Sequence, residues 1–168
     1  MLKKARIAVL VSGGGTNLQA LIDAEKKGKI KHGEIAVVIS NNPKAYALVR
    51  AKDNGIKAEC VDKKQCKSHS EFEEALCRII DLNRIDMIIL AGFMSILSEG
   101  FTSKYAHRII NIHPSLIPSF CGKGYYGLNV HEAALRYGVK VTGATVHYVN
   151  KIPDGGEIIA QKAVEILP

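Results

Sequence analysis

The sequence predicts an α/β fold, a mostly parallel, twisted sheet with helices on both faces and an antiparallel pair near the C-terminus. Three observations carry it. Strand-like and helix-like segments alternate along the chain, and the strand-like runs are continuously apolar, as in sheets buried on both sides. The last two strands are joined only by the short polar turn Pro153-Asp154-Gly155-Gly156, which suits an antiparallel pair.

Each element follows from local pattern. Residues 6–11 form a β-branched apolar run, and in 17–27 Leu18, Leu21, Ile22 and Glu25 recur at helical spacing. Residues 35–39 read as a second buried strand, and 45–54 as a helix closed by Gly55. A short third strand spans 56–61. Helix 70–82 puts Phe72, Leu76, Ile79 and Ile80 on one face, with Glu73 and Glu74 early, where the helix dipole favours acids. Strands follow at 87–90 and 108–112, then a helix at 131–137 stopped by Gly138. Residues 139–149 and 157–166 alternate as the final two strands, and nothing after them in the sequence would cover the last.

Composition narrows the class. A chain of 168 residues suits one domain, and 47% apolar residues can bury a core. The longest apolar stretch, 87–97, is too short to span a bilayer, so no membrane partner is expected. Lys3 and Lys4 precede an apolar run that stops at Ser12 and Gly13. That is too short for a secretory leader, and the chain is expected to be cytoplasmic. Cys60, Cys66, Cys77 and Cys121 form no Cys-x-x-Cys pair and read as reduced thiols. The net charge of +7 suits nucleic acid, anionic small molecules or mere solubility. No arginine-rich run or interleaved aromatic platform supports nucleic acid, so none is expected as a partner.

In sheets of this kind ligands bind beyond the carboxyl ends of the strands. After the first strand comes Ser12-Gly13-Gly14-Gly15-Thr16-Asn17. Its glycines let a backbone approach an anion, and the following helix start offers N–H donors. Three readings stand open: a phosphomonoester loop, a structural turn capped by Thr16 or Asn17, and a dinucleotide site. The last lacks its third glycine, since Leu18 stands there, and its ribose-binding acid, since the second strand ends Ser40-Asn41-Asn42. The fifth strand ends Asn111-Ile112-His113-Pro114. Residues two apart share a face, so Asn111 and His113 aim together, an amide donor beside an imidazole, as a developing oxyanion requires. Asp154 is by itself a turn residue, and with that pair it becomes a candidate carboxylate partner for the imidazole. His147, in an alternating strand, ranks lower. His113 and His147 find no third ligand at suitable spacing, so no metal is expected. A serine hydrolase is disfavoured because no Gly-x-Ser-x-Gly elbow occurs. Ala91-Gly92-Phe93-Met94-Ser95-Ile96-Leu97, at the end of the fourth strand, reads either as core or as the lining of a flat-ring pocket.

Taken in order and spacing, residues 12–19, 90–94, 111–118 and 154–156 resemble the glycinamide ribonucleotide formyltransferase family, over nearly the whole chain. The resemblance implies a Rossmann-like single domain over 1–168 and formyl transfer from 10-formyltetrahydrofolate to the amine of glycinamide ribonucleotide, without metal. It implies Asn111, His113 and Asp154 as catalytic residues. Gly15, Thr16, Asn17 and Pro114 would contact the ribonucleotide, and His69, Met94, Ser95, Ile96, Leu97 and Asn111 the folate. The partners implied are these small molecules, with the protein a monomer or homodimer. Three departures from the family pattern stand out. Ser95 replaces a common arginine. His69, with Lys67 nearby, stands at another basic position. The sequence also ends at Pro168, before a further helix that many relatives carry, so such a helix is expected to be missing. Residues 120–127 are read as a mobile loop near the site. The competing functions are a formyltetrahydrofolate hydrolase, a tRNA-formylating relative and a non-catalytic nucleotide-binding module. The first two normally carry an extra domain.

Overall fold

The computed structural model describes residues 3–167, so the expectation attached to Pro168 lies outside the described residues. The chain clusters into two compact units, Met1–Ser95 and Ile96–Pro168, taken in turn.

In the first unit, β1 (Ala5–Val11), β2 (Gly33–Ser40), β3 (Lys57–Cys60) and β4 (Met87–Leu90) run parallel in the order β3-β2-β1-β4. Helices α1 (Thr16–Lys26), α2 (Tyr46–Asp53) and α3 (His69–Leu82) fall between them. The continuous apolar runs are the reason. Val9 and Val11 of β1 and Val38 of β2 are fully buried, packed with Leu18 and Ile22 of α1 and Ala47 and Ala51 of α2. Leu18 and Ile22 stand four apart on one helix face, and burying each stabilises by about 1.5–3 kcal/mol. Helix α3 starts where Ser68 accepts a hydrogen bond from the Glu71 N–H at 3.1 Å, with an acid in its first turn. This packing fixes the ends of β1, β2 and β4, where three loops emerge side by side.

The second unit holds α4 (Glu99–Lys104), β5 (Ile109–His113), α5 (Leu128–Tyr137), β6 (Val141–Tyr148) and β7 (Ile158–Glu165). Helix α4 was not expected. Its six residues include Gly100 and are too few to show a helical apolar period, although Ser98 caps it in the usual way, accepting from the Phe101 N–H at 3.2 Å. Helix α5 begins three residues before the expected start. The β6–β7 pair is antiparallel as expected, and β6 is also antiparallel to β5, so the antiparallel part of the sheet reaches one strand further back. All eight residues of β7 are exposed. Among the described residues no helix is long and apolar enough to cross a membrane.

Candidate active site

The first unit presents a cradle of exposed main chain at the start of α1. Helix α1 has Gly15 as its N-cap, in the left-handed region at φ 75°, and no side chain caps it, so neither Thr16 nor Asn17 plays the capping part. A Cβ on Gly15 would lie 2.7 Å from Cβ of Ala47, so glycine is needed for its φ and for the close approach of α2. The first N–H groups of α1 therefore face outward with the positive end of the helix dipole, in a loop where Gly13, Gly14, Thr16 and Asn17 are all exposed. Arg50 of α2 braces the loop, its Nε donating to the Gly14 carbonyl at 2.8 Å and its other nitrogen to Gln19 at 3.1 Å.

Neighbouring loops are stitched to this cradle. The Ser12 hydroxyl accepts from the Met94 N–H at 2.8 Å, and the Ser12 N–H donates to the Gly92 carbonyl at 3.1 Å. Asn41 donates to the Ser95 hydroxyl at 2.8 Å, which is the use this chain makes of the serine. Met94 is exposed, whereas Ser95 is buried. His69, the first residue of α3, is exposed and pairs with Glu73 at 3.1 Å. In the second unit, Ile96 is exposed and Leu97 is core.

The second unit holds a cluster of buried and half-buried polar side chains. The β5–β6 register sets Asn111 opposite His147 and His113 opposite Thr145. Pro114 then leaves the strand. His113, almost fully buried, directs Nε2 at the Phe120 carbonyl, 2.8 Å away, and Nδ1 at Asp154, 3.5 Å away. A carbonyl can only accept, so Nε2 carries a proton. A protonated Nδ1 would meet the carboxylate, so the imidazolium has an acceptor at each end. His147 lies 3.1 Å from Asn111 and 3.7 Å from Asp154. Asp154 sits at φ 55° in its turn, a conformation aspartate tolerates, and accepts from the Gly122 N–H at 2.9 Å. Phe120, at φ 50°, is likewise strained at the site.

Burial is the strongest single influence on the Asp154 carboxyl and pushes its pKa up. His147, the Gly122 N–H and the charge of His113 together outweigh it, leaving the group below its ordinary value of 3.8. The Gly122 N–H makes the short contact to Asp154, and His147 stands farther off at 3.7 Å. Asp154 is therefore ionised at neutral pH, an acceptor placed to orient the His113 ring.

Within the second unit the structure brings together Asn111, His113 and Asp154, the trio chosen from sequence. Four participants are not evident from the sequence alone. His147 ranks low on sequence because no tight turn joins β5 to β6, and only their register pairs it with Asn111. Arg50, and the main-chain groups of Phe120 and Gly122, have no sequence signature. Residues 120–127, expected near the site, do supply two of its contacts. Among the described residues no three His, Cys, Asp or Glu side chains cluster in a way that could hold a metal ion.

Comparison with known proteins accords with this geometry. The sequence profile of the family described as formyl transferase matches residues 5–168. Trifunctional purine biosynthetic protein adenosine-3 of Gallus gallus is 45% identical over 163 residues, 97% of this chain but 16% of that protein. Phosphoribosylglycinamide formyltransferase of Haemophilus influenzae is 44% identical over 163 residues, 97% of this chain and 74% of that enzyme. The crystal structure of glycinamide ribonucleotide transformylase 1 from Symbiobacterium toebii superposes with a TM-score of 0.90 at 42% identity, covering 98% of this chain and 75% of that one. This chain thus spans a small part of the trifunctional protein and about three quarters of the Haemophilus influenzae and Symbiobacterium toebii proteins. On its profile match, its identity and its fold, the chain belongs to the formyl transferase family.

Proposed function

We propose that this chain is a phosphoribosylglycinamide formyltransferase, moving the formyl group of 10-formyltetrahydrofolate to the amine of glycinamide ribonucleotide in purine biosynthesis. The observation that carries the reading is the juxtaposition of His113 and Asp154, 3.5 Å apart, with Asn111 two residues away on the same strand. The substrate amine attacks the formyl carbon and negative charge gathers on the formyl oxygen. Asn111 donates to that oxygen through its amide, and His113 through the Nε2–H that the Phe120 carbonyl now occupies. Asp154, kept ionised, favours the imidazolium and fixes its orientation. As the tetrahedral intermediate collapses, the amine's proton passes through a water to the departing folate nitrogen. The chemistry needs neither metal nor covalent intermediate.

Gly15, Thr16 and Asn17 hold the phosphate at the start of α1, and Pro114 borders the ribonucleotide. Met94, Ser95, Ile96, Leu97 and His69 serve the folate, Met94 and Ile96 offering exposed apolar surface and Asn111 meeting the formyl end. Ser95, bonded to Asn41, provides no cation where relatives carry arginine, so folate affinity rests more on apolar contact and on His69. Residues 1–168 act as one formyltransferase domain, cytoplasmic, monomeric or homodimeric, with no nucleic-acid partner. The test follows folate absorbance after mixing protein with 10-formyltetrahydrofolate, with and without glycinamide ribonucleotide. Transfer requires both. Turnover without the ribonucleotide would indicate a hydrolase, and binding without turnover a nucleotide-binding module.

A further inference from the structure

We infer that His147 is a positioning residue for formyl transfer, fixing which way the Asn111 amide points. The inference rests on the reading of Asn111 as an oxyanion donor. His147 is 1% exposed and stands directly across the β5–β6 ladder from Asn111. Its Nδ1 lies 2.8 Å from the Tyr148 carbonyl, which accepts and cannot donate, so Nδ1 bears the proton. That carbonyl is itself held. The Tyr148 N–H donates to Glu157 at 2.8 Å, and Gly156 packs so tightly against the carbonyl that a Cβ there would overlap it.

With its proton on Nδ1, the neutral imidazole has only a lone pair at Nε2. The group 3.1 Å from that lone pair is Nδ2 of Asn111. Turning the amide by half a rotation would set its oxygen against the lone pair, two acceptors face to face. The imidazole therefore selects one of two orientations that are sterically alike. In that orientation one Nδ2 proton is held by His147 and the second stays available for the formyl oxygen. Asp154 stands farther from Nε2, its Oδ1 at 3.7 Å, while its Oδ2 accepts from the Gly122 N–H. The chain Tyr148 carbonyl, His147, Asn111 thus carries a main-chain constraint to a donor side chain, as outer partners orient ligating histidines in metal sites.

Three measurements test this. In the unliganded protein, nitrogen-15 NMR of the imidazole should show His147 as the neutral Nδ1–H form at neutral pH. An Nε2–H or doubly protonated ring would overturn the inference whatever the protein catalyses. In steady-state kinetics, His147→Leu should lower kcat with KM for both substrates little changed, and His147→Gln, whose amide oxygen can accept from Asn111, should recover part of it. The loss should not exceed that of Asn111→Ala, which is ~10²–10³-fold for one oxyanion donor. Combining His147→Leu with Asn111→Ala should cost nothing beyond Asn111→Ala alone, since His147 acts through that amide. Losses that multiply, or a Gln variant as poor as Leu, would overturn it. Should Leu fail to fold, the Gln variant and the NMR signature still decide. Absence of transfer in the wild type would defeat the functional reading, and the tautomer measurement would stand apart from it.

Discussion

The glycine loop of the first unit and the β5–β6 cluster of the second are built from different material. The loop offers main-chain N–H groups at a bare helix start, with Thr16 and Asn17 exposed and Gly15 held by φ 75° and its contact with Ala47. The cluster offers the buried His113 and His147 with the half-buried Asn111 and Asp154, each held by a partner at a defined distance. A phosphate carries charge at all times, and fixed dipoles suffice for it. A formyl oxygen gains charge only in the transition state, so its donors must be preorganised and one must be able to carry a proton. The first region should therefore be sensitive to backbone changes and the second to side-chain changes.

The largest expected effect lies in the second region. Asn111→Ala and Asp154→Asn should each reduce kcat by ~10²–10³-fold while circular dichroism remains native, the scale of losing one oxyanion-hole donor. Near-wild-type turnover in either would dissolve the contrast. Next is Gly15→Ala in the loop. A left-handed conformation costs a non-glycine residue about 1–2 kcal/mol, before any adjustment at Ala47. Thermal melting should fall and KM for the ribonucleotide rise, with kcat largely kept. A loss in kcat alone would place the loop in the chemistry instead.

The third prediction concerns pH. The folded-state pKa of Asp154 lies below its ordinary value, so its stabilising contribution is present above about 3.8, the ordinary value, and disappears as pH falls through the lower folded value. Urea unfolding from pH 6 down to pH 3 should therefore show wild type losing its advantage over Asp154→Asn only at the acid end. A gap constant across that range would contradict the assignment. The smallest effect is expected for Ser12→Ala. It removes the acceptor of the Met94 N–H at 2.8 Å, worth about 0.5–1.5 kcal/mol, and should raise KM for both substrates a few-fold because it loosens two loops at once.

Much of this was legible in the sequence, and the remainder fails for identifiable reasons. Alternation in β5 places Asn111 and His113 on one face, and the Gly13–Gly15 run marks a turn where glycine is required, as Gly15 at φ 75° against Ala47 shows. Helix α4 shows no period because it has only six residues, with a glycine in its first turn. His147 was underrated because alternation gives a strand's face and not its partner across the ladder, which the β5–β6 register supplies. Arg50 reaches Gly14 from 36 positions away, a distance at which no local pattern speaks. The Phe120 carbonyl and Gly122 N–H belong to the main chain, which every residue has and no sequence distinguishes.

The central claim is transfer of the formyl group to a nitrogen acceptor, and the fate of that carbon tests it most directly. With carbon-13 in the formyl group of 10-formyltetrahydrofolate and glycinamide ribonucleotide present, NMR should show the label moving into an amide bonded to the ribonucleotide's nitrogen. Label appearing as free formate at the same rate with or without the ribonucleotide would contradict the account.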